Sequence, residues 1–564
     1  MSLVECVPNI SEGRDRAVID RCAAAISRNE GVELLDVDPG SDTNRTVLTF
    51  VGDPDSVLAA CHSLFEAALG SIDMSRHQGT HARQAAVDVC PFIPVSGIEM
   101  KDCVALAHRF GEELGALGYS GYFYEEAANR RDRQNLADIR RGEYETLETK
   151  LRNPAWVPDF GPAEFTERVR RFGAPVIGAR EFLIAWNINV NTSSKKLAHL
   201  VALDIRERGR AKRDEQGALA YADGGGLEFE PVETSLPTVK SVGWVIDTEA
   251  YGPVAQVSIN LCNYKTTPMW KVYERTREVA QSRGIVVTGA EIVGLVPKSA
   301  LLECGRYYRE RLGVLVGVSD DDLLRTAVQS MGLSDLYPFD IEKKVIENRI
   351  EKAGRLVSLS VRDFCSETAS ESPAPGGGSI AALAGALSAS LSAMVTQLTH
   401  GKKEFKDVTA EMNDVGMRAH RAKDFFLRAV DEDTIAFNAV MTAMRLPRET
   451  EEQVRARNQA LESANQNAAR IPLQVARACL ELIELAEIVI DKGNPNSMTD
   501  GGTAASMAQA ACLSAGYNVL TNLSSVGDPA FVTSSREEIS RILESADEAA
   551  VRVRRAVMQR LGRA

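Results

Sequence analysis

The 564-residue chain has no CxxC pair: its ten cysteines (Cys6, Cys22, Cys61, Cys90, Cys103, Cys262, Cys304, Cys365, Cys479 and Cys512) are scattered without regular spacing. That excludes a zinc knuckle or a disulfide framework and implies reduced thiols in a cytoplasmic protein. Positive charge is not in surplus either. The formal net charge is -13, so nucleic acid is not an expected partner. The opening MSLVECVPNI has no basic stretch leading into an apolar run, and no secretory signal is expected. Only residues 380–399 stay uncharged over the length of a membrane span. Their Ser, Thr, Gln and small residues fit a buried bundle helix better, so no membrane span is expected.

What is present is a soluble globular composition, with 44% hydrophobic and 25% charged residues. At this length about three units are expected, since domains run to roughly 100–200 residues. Up to residue 350 the chain alternates short β-like runs with amphipathic segments; after a linker at 351–357, Ala-rich helical pattern takes over through 358–564. The first part repeats one order of elements. LVECVPNI, a helix from about Arg14, VELLDVD, RTVLTFVG, a helix through SVLAACHSLFEAAL and DVCPFIPV give βαββαβ. FLIAWNINV, KKLAHLVALDIRERG, SVGWVID, AQVSIN, MWKVYERTREVAQS and GIVVTG give it again. This is ferredoxin-like order, and it predicts two α/β subdomains, 1–180 and 181–350, ahead of an all-α domain. The polar, Gly-rich stretch 211–236 reads as an exposed insertion.

Three groups of residues invite chemistry. In SRHQGTHARQAA, His77 and His81 are four apart, but Gln78, Gly79 and Thr80 lie between them and supply no third ligand, so no metal is expected. In the strands AWNINVN and AQVSIN, Asn187, Asn189 and Asn191, and likewise Gln256, Ser258 and Asn260, fall on single faces. Such rows either face solvent or line a polar ligand cleft. In the helix through AVDEDTIAFNAVM, Asp433 lies amid a stripe of Phe425, Phe426, Ala429, Val430, Ala436, Phe437, Val440 and Met441, while Asp431 points elsewhere. A carboxyl on a core-facing stripe either pairs or has its pKa raised.

The words CVPNISEGR, LLDVDPGSDTNRTVLTFVG, MSRHQGTH, DVCPFIPV and DFGPAEF with GAPVIGAREFLIAWNIN together resemble glutamate formimidoyltransferase. PAPGGGSIAALAGALSASL and AVDEDTIAFNAVM resemble formimidoyltetrahydrofolate cyclodeaminase. Both on one chain look like the bifunctional formimidoyltransferase-cyclodeaminase family. The resemblance implies tetrahydrofolate as cosubstrate, in free or polyglutamylated form, N-formimidoyl-L-glutamate as donor, and a homo-oligomer, a ring of dimers. It implies transfer of the formimidoyl group to N5 of tetrahydrofolate, then closure to 5,10-methenyltetrahydrofolate with loss of ammonia. A folate-binding or scaffolding protein, or a formyl transferase, are the alternative classes.

Residue by residue, the resemblance implies His81 and Asp38 as the transferase pair and Asp433 as the proton-transfer residue of ring closure. An imidazole with an unperturbed pKa of about 6.5 suits proton traffic in both directions. Folate contacts are implied at Pro162, Ala163, Phe165, Arg171, Phe172, Gly173 and Ala174, and at Asn187 and Asn189. A cyclodeaminase ligand site is implied at Gly376, Gly377, Gly378, Ser379, Asn494 and Asp500, although the spacing of Ser497 and Asp500 also suits a helix start. Ala82, Gln84 and Ala85 stand where the family commonly has proline, methionine and glycine.

Overall fold

The computed structural model describes every residue except 1, 42, 80–81, 222–226, 249–250, 351–355, 373 and 563–564. It divides into two compact units, Met1–Cys304 with Val328–Ile350, and Gly305–Ala327 with Glu351–Ala564.

The first unit is built on two sheets. β1 (Leu3–Cys6), β2 (Asn9–Ile10), β3 (Val32–Gly40), β4 (Arg45–Gly52) and β5 (Val87–Ser96) pair antiparallel in the order β3-β4-β1/β2-β5. Helices α1 (Arg16–Ser27), α2 (Pro54–Ser71) and α3 (Met100–Ala116) accompany them. Alternation sends Val4, Cys6, Leu48 and Phe50 into a core against Leu64, Phe65 and Phe110 of these helices. The sheet continues beyond the expected strands. β6 (Tyr122–Glu125) and β7 (Val176–Ala179) add to β5 in parallel. Their short, almost wholly buried runs carry no alternation, so period-two reading does not distinguish them from loop.

The second sheet runs β11 (Val239–Thr248), β12 (Gly252–Leu261), β8 (Ile184–Val190), β13 (Val287–Val293), all antiparallel. Helices α4 (Lys195–Ile205) and α5 (Met269–Ser282) are its companions. Between α4 and β11, β9 (Arg210–Ala211) and β10 (Phe229–Glu230) form a two-stranded ribbon, and residues 212–219 after β9 are exposed.

In the second unit five long helices, α6 (Gly377–Thr399), α7 (Thr409–Met444), α8 (Glu451–Lys492), α9 (Met498–Leu523) and α10 (Pro529–Arg560), enclose one core of Ala, Val, Leu and Ile. α6 is long and apolar enough to cross a membrane, yet its Ala381, Ala382, Ala386 and Ala389 are buried among its neighbours. Residues 305–327 pack here too. The Val316 N–H donates to Asn413 Oδ1 at 2.8 Å, and Gly317 crosses Gly416 so closely that neither tolerates a Cβ.

Candidate active sites

In the first unit a cleft of about 870 Å³ opens against one face of each sheet. Glu5, Asn9, Val47, Thr49 and Pro91 come from the first sheet, and Ala185, Lys240 and Asn260 from the second. Asp38 joins them through a bulge. Val32 and Leu34 face the core, and strict alternation would put Asp36 and Asp38 there as well. The register slips at Leu35, which is buried in a separate cluster with Val51, Leu295 and Ile346. Beyond the slip Val37 takes the core side and Asp38, opposite Val47, faces the cleft. Burial pushes the Asp38 carboxyl above its ordinary pKa, Asp36 adds to the effect and Lys344 opposes it.

His81 lies outside the described residues, but the segment that follows it is fixed carbonyl by carbonyl. Ala82 O accepts from Arg45 Nη1 at 2.6 Å, Arg83 O from Tyr144 N at 3.0 Å and Gln84 O from Ala174 N at 3.1 Å. Ala85 O accepts from Ser11 Oγ and Ala86 O from Ser11 N, both at 2.8 Å. Arg45, itself buried, also donates to Asn9 Oδ1 at 2.7 Å and pairs with Asp88 at 3.0 Å, while Arg140 meets the same carboxylate at 2.5 Å. Desolvation lowers the Arg45 pKa to about 10, against the pull of Asp88. The departure at Gln84 is absorbed locally: its side-chain amide donates to Ala174 O at 2.8 Å.

His77 has a different setting. Its Nε2 contacts Asn44 O at 3.1 Å and its Nδ1 accepts from Arg83 Nε at 3.2 Å. Arg83 is buried and clamped by Glu143 at 2.9 Å and Glu145 at 2.6 Å. The ring thus links the Asn44 carbonyl to the Arg83 side chain, and burial lowers its pKa.

The residues 162–174 are not on the walls of this cleft. Phe172 stacks on Phe65 in the core at 5.3 Å between centroids, and Gly173, at φ +84°, lets the chain pass against Gln84 O where a Cβ would collide. Ala174 is buried with Val169 and Val176. Pro162 and Phe165 are half-buried and Ala163 is exposed. Arg171 is exposed, its guanidinium 3.5 Å from Gly70 O. This stretch therefore backs the segment 82–86. Asn187 and Asn189 are also internally engaged: Asn187 donates to Glu291 and Asn189 to Asp335, both at 3.0 Å, and Gln256 bridges Asn189 and Glu291 at 2.8 Å each. Glu5, Arg45, Arg140 and Lys240 are among the charged cleft residues that sequence pattern did not single out. For Glu5 and Arg45 the one visible signal is a charge set in an otherwise apolar strand, LVEC and RTVLTF.

In the second unit Asp433 of α7 meets the first turn of α6. Ser379 Oγ donates to Asp433 Oδ2 at 3.0 Å, and the Ser379 backbone also bonds this carboxyl. Gly378 makes the approach possible, because a Cβ there would fall 2.5 Å from Asp433 Cγ. The helix N-terminus that the glycine run exposes thus receives the chain's own carboxyl. Burial nevertheless wins over these bonds and raises the Asp433 pKa. Phe426, Ala429, Val430 and Ala436 of the stripe are buried, whereas Phe437 is exposed, so Asp433 sits where the buried face opens. Asp431 does separate work: its two oxygens accept from Leu356 N at 2.9 Å and Val357 N at 3.3 Å.

Gly376 is the N-cap of α6, and Gly377 lies against Asn518 of α9. Asn494 is at the other end of α6, its N–H bonded to Thr399 Oγ1 at 2.9 Å and its amide to Leu398 O at 3.3 Å. Twenty helical residues separate these ends, about 30 Å. Within one chain Asn494 is therefore not beside Asp433. Ser497 makes no side-chain cap to α9, and Asp500 is half-buried in that helix's first turn.

Three family descriptions match in chain order: "Formiminotransferase domain, N-terminal subdomain" over residues 3–180, "Formiminotransferase domain" over 185–351 and "Formiminotransferase-cyclodeaminase" over 360–541. The formimidoyltransferase-cyclodeaminase of Gallus gallus is 40% identical over 553 residues, covering 97% of this chain and 97% of that protein. The glutamate formimidoyltransferase of Thermoplasma acidophilum is 40% identical over 56% of this chain and 94% of its own length. The methenyltetrahydrofolate cyclohydrolase of Methylorubrum extorquens is 37% identical over 33% of this chain and 90% of its own. With a relative alike from end to end, and with each part also alike to a protein that stands alone, the chain belongs to the formimidoyltransferase-cyclodeaminase family.

Proposed function

We propose that the chain transfers the formimidoyl group of N-formimidoyl-L-glutamate to tetrahydrofolate in its first unit and closes the product to 5,10-methenyltetrahydrofolate in its second. The observation that carries this is the likeness over the whole chain to a protein named for both activities. In the first step N5 attacks the formimidoyl carbon, the C–N bond to glutamate breaks, and a proton reaches the leaving amine. His81 is the proton carrier in this reading. The carbonyls of 82–86, next in the chain, are pinned beside the cleft that Ala82 lines, and Asp38 of the same cleft stabilises the imidazolium.

In the second step N10 attacks the same carbon, sheds its proton, and the imino nitrogen departs as ammonia after taking up a proton. Asp433 serves both events, as base and then as acid, because burial raises its pKa and so eases its protonation. Ser379 orients it. Residues 162–174 and the Asn187–Asn189 row act in this account by shaping the cleft walls from behind.

The four-stranded sheet is read as ferredoxin-like, supported by its order, second-third-first-fourth strand of a βαββαβ unit. A cytoplasmic homo-oligomer is the state proposed. Ten free cysteines support the reducing compartment, and Leu387, Leu398, Tyr517 and Leu520 on the mutually packed α6 and α9 support a partner surface.

A second reading of the helical unit comes from its cyclohydrolase relative: water in place of N10 chemistry, opening the methenyl bridge. A continuous absorbance assay for methenyltetrahydrofolate, run with ammonia detection, separates the two. Growth of the methenyl band with equal ammonia supports ring closure, and decay of added methenyltetrahydrofolate without ammonia supports hydrolysis.

A further inference from the structure

Glu5 has no part in the chemistry above, yet it stands on the cleft wall. Because Val4 and Cys6 point into the core, Glu5 points to the cleft face, opposite Val51 of β4 and Ile93 of β5. It is 0% exposed, its cross-strand neighbours are 2% and 1% exposed, and both are apolar. Neither of its oxygens has a hydrogen-bond partner among the described residues. The charged groups that reach it are Arg180, which favours the carboxylate, and Glu347, which opposes it. Arg180 is engaged elsewhere, with Glu181 O at 3.0 Å and the Tyr124 hydroxyl. Desolvation holds the Glu5 pKa at about 8.

A buried carboxyl with both oxygens unpartnered is costly until something bonds to it. A metal ion does not fit, since no cluster of three ligating side chains among the described residues includes Glu5. Two oxygens in one plane match two parallel N–H donors. We infer that Glu5 is the cleft's binding residue for a planar N–C–N donor edge, held by two parallel hydrogen bonds to its carboxylate. The inference rests on the formimidoyl-transfer reading, within which two molecules offer that edge: the 2-amino-4-oxopyrimidine ring of the pterin, and the amidine of the formimidoyl donor.

Glu5→Gln keeps the volume and turns one acceptor into a donor. Charge-assisted hydrogen bonds contribute enough that KM for one substrate is expected to rise roughly 10- to 100-fold, with the other KM little changed. A rise for tetrahydrofolate assigns the pterin, and a rise for N-formimidoyl-L-glutamate assigns the amidine. In the pterin case, a 2-desamino-2-methyl folate analogue binds wild type more weakly than its parent but binds Glu5→Gln as well as the parent does. Both KM values unchanged, with or without a fall in kcat, overturns the inference.

Calorimetry of the wild-type enzyme at pH 7, in buffers of different ionisation enthalpy, guards against a variant that does not fold. Binding of 5-formyltetrahydrofolate or of the donor as a partner of ionised Glu5 releases a proton; no release with either overturns the inference. If wild type turns over neither substrate, the transfer reading fails, while proton release on folate binding still reports on Glu5.

Discussion

Gly378→Ala tests whether the position of Asp433 matters to ring closure. The glycine has an ordinary helical backbone, absent from the positive-φ positions, so alanine is conformationally allowed and raises helix propensity by up to about 1 kcal/mol. Its methyl group, however, would lie 2.5 Å from Asp433 Cγ and 2.7 Å from Oδ2, where ordinary contact begins at 3.4 Å. The carboxyl has to retreat by about 1 Å, and the 3.0 Å bond from Ser379 goes with it. A displacement of that size costs roughly 10²-fold when it misplaces a reacting group. Ring closure, followed by methenyltetrahydrofolate absorbance from 5-formimidoyltetrahydrofolate, is expected to fall by about that factor while formimidoyl transfer and the melting temperature hold. Gly377→Ala is the control, since its methyl meets only the end of the Asn518 amide at 3.0 Å. If Gly378→Ala closes the ring at the wild-type rate, the seat of Asp433 at the α6 N-terminus is not the working arrangement.

His81→Ala is expected to lower transfer by roughly 10²- to 10⁴-fold without touching ring closure. His77→Ala removes two partly buried bonds and should instead cost about 1 kcal/mol of stability, read as a lower melting temperature with transfer largely kept. Equal kinetic losses at the two histidines would contradict this. Glu5 makes stability depend on pH. Its folded carboxyl keeps its proton to about pH 8, and the unfolded one loses it near 4.5. Its contribution is complete below pH 4.5 and is lost as pH rises to about 8, at up to about 1.4 kcal/mol per pH unit. Chemical unfolding of Glu5→Gln should lack that slope, and parallel pH curves would refute it. A fragment ending at residue 350 removes the helices against which 305–327 pack, so limited proteolysis should cut first within 305–327. A first cut elsewhere, as in the full chain, would count against that packing.

Alternation and helical period, read along the chain, place most strands of the first unit and the all-helical character of the second, because these elements are amphipathic or continuously apolar over their length. They do not place Asp38. A single extra residue at Leu35 reverses which face the strand presents, and nothing local in LLDVD marks it. The parallel strands β6 and β7 escape for a related reason, being four residues each and almost wholly buried. At Asp433 the helical period is informative, since a carboxyl on an apolar stripe is a local conflict, and Asp433 stands between the buried Val430 and Ala436. Its partners were legible only as a glycine run, whose other reading was a simple turn. Arg45 and Glu5 depend on neighbours far off in sequence, such as Asp88 for Arg45 and Ile93 and Arg180 for Glu5, and a sequence pattern does not contain those contacts.

The central claim, one chain performing two steps at two separate sites, is tested most directly by product analysis of Asp433→Asn supplied with N-formimidoyl-L-glutamate and tetrahydrofolate. Wild type should yield methenyltetrahydrofolate and ammonia in equal amounts. The variant should release glutamate at the wild-type rate, accumulate 5-formimidoyltetrahydrofolate and produce little ammonia. Ammonia and methenyltetrahydrofolate at wild-type rates from Asp433→Asn, or loss of glutamate release along with ring closure, would contradict the account.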